Sequence, residues 1–87
     1  MKELNTNDEL HQISALDLPE IEKLTRAFRL VTDKIIAYSE GEIELLRALG
    51  DPQELIKEQI KQSTIQHARS IYAQCHLLAT GRKAWDD

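Results

Sequence analysis

Leu49-Gly50-Asp51-Pro52-Gln53-Glu54 is the stretch that decides the fold. Gly50 can take the left-handed conformation that closes a helix, Asp51 can cap the next one, Pro52 brings a preset first-turn φ, and Glu54 can return a capping-box bond. So short a joint forces the two flanking helices to lie antiparallel. At 1.5 Å per residue each helix would be about 40 to 50 Å long. The expected fold is therefore all-α: an elongated antiparallel hairpin that associates into a helical bundle or coiled-coil oligomer.

Backward from the joint, the spacing predicts helix one over about 18–49. Asp17 precedes Leu18-Pro19-Glu20, so its carboxylate can accept from the first free amides while Glu20 completes a capping box and Pro19 sits in the first turn. The apolar positions then run Ile21, Leu24, Phe28, Val31, Ile35, Tyr38, Leu45 and Leu49, with Glu42 the one break in a heptad-like seam. Leu30, Ile36, Ile43 and Leu46 widen the stripe beyond what a two-stranded coiled coil requires. Gly41 costs roughly 1 kcal/mol against alanine and predicts a local bend. Residues 1–16 are polar, with scattered Leu4, Leu10 and Ile13, and read as a mobile arm with at most one short turn of helix.

Forward from the joint, helix two is predicted over about 52–80. Its stripe is weaker: Leu55, Ile56, Ile60, Ile65, Ala68, Ile71, Tyr72, Cys75, Leu78 and Ala79, interrupted by Gln59, Ser63, Thr64 and His67. Polar residues near a seam lower stability and help fix register and partner choice. Thr80-Gly81 ends the helix, with Arg82 and Lys83 complementing the negative end of its dipole. The tail Ala84-Trp85-Asp86-Asp87 either extends the helix or frays.

Eighty-seven residues hold one domain at most, organised here as the arm 1–16 and the hairpin 17–87. Chains this small seldom bury a sufficient core alone, so self-association or a partner surface is expected. A net charge of −4 disfavours nucleic acid, whose phosphates need a basic face. The lone Cys75 cannot form an internal disulfide, the N-terminal residues have no signal-peptide core, and no window approaches the roughly 20 apolar residues of a membrane span. A cytoplasmic protein is expected.

Chemistry is hard to place on this chain. His67, Cys75 and His76 are the one cluster of metal-ligand types, yet His67 and Cys75 stand about 12 Å apart along a helix. Cys75 reads as packing material. The pairs Glu20 with Glu22 and Glu42 with Glu44 point to different sides of a helix. No phosphate loop, nucleophile elbow or catalytic triad is present. No catalytic, cofactor or metal residue is assigned, and a non-enzymatic protein is expected. The candidate interface is instead Ile21, Leu24, Phe28, Val31, Ile35, Tyr38, Leu45, Leu49, Leu55, Ile60, Ala68, Ile71, Cys75 and Leu78, with Gly50, Asp51, Pro52 and Glu54 forming the joint.

Leu45-Leu46-Arg47-Ala48-Leu49-Gly50-Asp51-Pro52-Gln53-Glu54-Leu55-Ile56, with Gln59 and later Ala68, Gln74, Leu77 and Leu78, resembles the phasins, small helical proteins that coat polyhydroxyalkanoate granules in bacteria. In that family a leucine-rich helix end passes through an Asp-x-Gln-Glu-Leu joint into a second helix with a glutamine four positions on, as Gln59 follows Leu55. The resemblance spans about residues 43 to 80. It implies a cytoplasmic, oligomer-forming surfactant whose helices lie on a hydrophobic polyester and limit granule coalescence. Asp51-Pro52-Gln53-Glu54-Leu55 and Gln59 are also similar to the joint of type III secretion inner-rod and needle proteins, which implies the alternative of a helical assembly subunit contacting partner helices.

Overall fold

The structure, a computed structural model, describes residues 6–85. Residues 1–5 of the expected arm, Leu4 among them, and Asp86 and Asp87 of the tail lie outside the described residues. Three helices and no strand are formed among the described residues: α1 Thr6–Ser14, α2 Glu20–Leu49 and α3 Pro52–Thr80. The chain divides into two compact units, 1–31 and 32–87, with α2 contributing to both.

In the first unit, part of the segment read as an arm is the nine-residue helix α1. A helix this short is not stable by propensity alone. Its Leu10 and Ile13 are half-buried, and the Lys23 ammonium of α2 donates to the Ser14 carbonyl at 2.8 Å, holding one of the orphan carbonyls at the end of α1. Helix α2 starts at Glu20, two residues later than the spacing predicts. The Pro19 carbonyl accepts from the amides of Glu22 (3.0 Å) and Lys23 (3.1 Å), so the chain enters the helix at Pro19 and not at Asp17.

In the second unit the joint forms as its residue types require. Gly50 adopts φ +71, and its amide bonds the Leu46 and Arg47 carbonyls at 3.0 and 3.2 Å. The Asp51 amide also reaches the Leu46 carbonyl, at 3.2 Å, which satisfies the last carbonyls of α2. The Asp51 carboxylate accepts from the Glu54 amide at 3.2 Å, with Pro52 in the first turn. The return half of the capping box is replaced, because the Glu54 carboxylate turns outward to Lys57 at 3.1 Å. At the far end Gly81, φ +73, closes α3 by donating to the Leu77 carbonyl at 2.8 Å.

From Thr32 onward α2 packs antiparallel to α3. Asp33 meets Arg69 at 2.6 Å, the Lys61 ammonium lies 5.9 Å from the Tyr38 ring centroid, and Ile43 shares a hollow with Gln59 and Gln62. Partners thus fall back along α3 as α2 advances. Helix α2 runs through Gly41 without interruption.

The buried seam of this pairing overlaps the apolar stripe only in part, with Ile35, Ile36 and Leu46 half-buried at its borders. On α2 its buried residues are Thr32, Ser39 and Ile43. On α3 it follows Leu55, Glu58, Gln62, Ile65, Arg69 and Tyr72, all half-buried, to the buried His76, alternating three and four residues. Tyr38, Leu45 and Leu49, expected at the centre of the α2 seam, are 65, 53 and 69 % exposed. A helix turns about 100° per residue, so the line through Thr32 and Ser39 lies roughly a quarter-turn from the line through Tyr38 and Leu45. Small Thr and Ser side chains leave room for two helix axes to approach, and larger residues are set to the flanks.

Candidate interaction surface

The same geometry decides what α3 shows to its surroundings. Ile56, Ile60, Ile71 and Leu78 are exposed, as are Thr64 and His67, and together they form one stripe on the side of α3 opposite its packed seam. Leu78 reaches 84 % exposure and Ile60 61 %. Cys75, read as packing material, is exposed at the edge of this stripe; its place is set by the helical turn, which carries it away from Tyr72 and His76 on the packed side.

Of the predicted interface residues, Ile21, Leu24, Tyr38, Leu45, Leu49, Ile60, Ile71, Cys75 and Leu78 are exposed, while Phe28, Val31, Ile35, Leu55 and Ala68 are half-buried. None is fully buried. Among the described residues Ile43 is the one buried hydrophobic side chain, against eleven large hydrophobic residues that are exposed. The polar seam residues Thr32, Ser39, Glu58, Gln62 and His76 were missed by a reading that followed hydrophobicity. Their 3–4 spacing on α3 was the available signal.

Polar chemistry at the seam is partly unsatisfied. The Ser39 hydroxyl, the Glu58 Oε2 and the Gln62 amide nitrogen are buried without a hydrogen-bond partner, although Lys61 stands 3.7 Å from that Glu58 oxygen. On the flank, the Tyr38 phenol bonds the Glu42 carboxylate. This bond, the negative charge of Glu42, slight desolvation and the charge of Glu58 all raise the phenol above its ordinary value of 10.0.

Residues 82–85 neither extend α3 nor leave it. Past Gly81, the His76 Nδ1–H donates to the Arg82 carbonyl at 2.9 Å, while the Thr80 hydroxyl donates to the His76 carbonyl at 2.8 Å and accepts from the Arg82 amide at 3.1 Å. This turn brings Trp85 back onto α3, stacked on Tyr72 with centroids 6.0 Å apart and with the Arg69 guanidinium 5.2 Å from its ring. Trp85, Lys83, Leu77, Ala73 and Ile36 border an open groove of about 550 Å³ beside Arg69.

Among the described residues no group of three His, Cys, Asp or Glu side chains is arranged to hold a metal ion, and no helix is long and apolar enough to cross a membrane. Set beside protein-family models, curated proteins and solved structures, the chain matches none.

Proposed function

We propose that this protein acts by contact and not by catalysis: a cytoplasmic amphipathic helical protein that covers a hydrophobic surface, phasin-like in coating a polyhydroxyalkanoate granule. One observation carries the reading. Among the described residues eleven large apolar side chains are exposed against one that is buried, while Thr25, Thr32, Ser39 and His76 are buried, so the exposed stripes lose water only when something else covers them. Each 100 Å² of apolar area covered contributes roughly 2.5 kcal/mol. Several such strips along two long helices suffice for adsorption, and the charged residues between them keep the coated particle dispersed.

A second reading, the helical assembly subunit, is favoured by the narrowness of the α3 stripe, which has the width of a coiled-coil seam. The two are separated by one set of measurements. Purified protein mixed with polyhydroxybutyrate particles is expected to sediment with them. Ile60→Glu with Ile71→Glu, both at exposed sites, is expected to reduce this at least tenfold while leaving helicity by circular dichroism unchanged. Retention of the wild type in the supernatant would refute the coating function, and filaments would establish the assembly subunit instead.

A further inference from the structure

The outward stripe of α3 has an internal symmetry. Ile60, Thr64, His67 and Ile71 are spaced four, three and four residues apart, and their chemistry reads apolar, polar, polar, apolar from either end. All four are exposed on the face of α3 opposite its packed seam. Both flanks of this stripe are polar, with Lys57 and Lys61 on one side and Gln59, Ser63, Gln66 and Ser70 toward the other. The apolar strip is thus about two residues wide, a width that one partner helix can cover.

We infer that the partner helix is α3 of a second copy, paired antiparallel about a two-fold axis passing between Thr64 and His67. A two-fold contact requires a patch complementary to itself, and an antiparallel pair meets that requirement when the seam reads alike in both directions. In this register Ile60 faces Ile71 of the second copy, Thr64 faces its His67, and the mates of both contacts follow by symmetry. The polar pairs sit at the centre and fix the register, as buried polar seam residues do in coiled coils. Sliding by one heptad would join Ile60 to Leu78 but set Ile71 against His67 near the centre, whereas the chosen register confines its mixed contact, Leu78 with Gln53, to the two ends. Antiparallel alignment also places each helix N-terminus beside the other's C-terminus, the favourable arrangement of the macrodipoles.

A single helix seam of this length, about 40 Å by 10 Å, covers on the order of 400 Å² per copy, the range of weak or transient contacts. Dimers are therefore expected at tens to hundreds of micromolar and not at nanomolar concentration. The inference deepens the coating function: the stripe that meets a particle is shielded by its twin in solution.

The test is disulfide trapping of the full chain in a Cys75→Ser background. Ile60→Cys with Ile71→Cys is expected to give a covalent dimer under a mild oxidant, because these positions face each other across the axis. They stand about 16 Å apart within one helix, too far for an internal bond. Each single variant is expected to stay uncrosslinked, since its copies also lie about 16 Å apart along an antiparallel pair. Sedimentation equilibrium of the Cys75→Ser parent is expected to show dimers that Ile60→Lys abolishes without loss of helicity. Crosslinking by a single variant would mean a parallel pair and overturn the inference, as would a dimeric parent with an uncrosslinked double variant or a parent still monomeric at about 1 mM, where even a contact of about −4 kcal/mol is populated. Particle binding without dimers would sink the pairing and leave the coating function standing.

Discussion

Removing a hydroxyl is expected to stabilise this protein. Ser39 is 0 % exposed, and its oxygen has no hydrogen-bond partner. On folding it gives up its bonds to water and gains none, a loss of about 1 to 3 kcal/mol. Ser39→Ala deletes that oxygen and little else, and alanine adds up to about 0.5 kcal/mol of helix propensity at this mid-helix position. The net gain should be about 2 kcal/mol. In urea, with a slope of about 1 to 2 kcal/mol/M for a chain this size, the unfolding midpoint followed by circular dichroism should rise by about 1 to 2 M. Measurement at low micromolar protein keeps association out of the result. Thr25 is the contrast: equally buried, its hydroxyl donates to the Ile21 carbonyl at 2.8 Å, so Thr25→Val should bring no comparable gain. An unchanged or lowered midpoint for Ser39→Ala would refute the claim that the seam holds unsatisfied polar groups.

Gly41→Ala should stabilise by roughly 0.5 to 1 kcal/mol, since a Cβ there meets nothing within 4 Å, whereas Gly50→Ala should destabilise by about 1 to 2 kcal/mol because its φ is +71; thermal melts of the two should shift in opposite directions. Arg69→Ala removes both the Asp33 ion pair and the cation over Trp85, and should cost about 1 to 3 kcal/mol while shifting the emission of the chain's single tryptophan. Asp33→Asn should do less, because that carboxylate is half exposed and water replaces the lost partner. In a Tyr72→Phe background, absorbance at about 295 nm, where tyrosinate is distinguished from the phenol, should show Tyr38 ionising above its ordinary 10.0, and Glu42→Gln should bring it down. A raised phenol contributes stability that is complete below pH 10 and lost as pH climbs through the raised value, so the Tyr38–Glu42 bond should fade only in strong alkali.

These expectations share one origin. The hydrophobic effect rewards burial of the isoleucines and leucines, yet two helices joined by a two-residue turn can bury only one face each. The faces that met here carry Thr32 and Ser39 on α2 and Glu58, Gln62, Arg69 and His76 on α3. The Asp33–Arg69 pair and the folded-back Trp85 add to this packing, and Ile60, Ile71 and Leu78 stay exposed.

By itself the sequence determined the helices and their reversal. Gly50, Asp51, Pro52 and Gly81 act on their own backbone through left-handed φ, capping and a preset first turn, so their meaning is local and legible. Only the tertiary structure decided which stripe of each helix faced inward and that Thr6–Ser14 is helical. Periodicity reports that a face is apolar but not what covers it, and a partner helix can meet α2 on any side. Here α2 met α3 along Thr32, Ser39 and Ile43, and the packed line of α3 through Leu55, Ile65, Tyr72 and His76 leaves Ile60, Ile71 and Leu78 on its opposite, outward side.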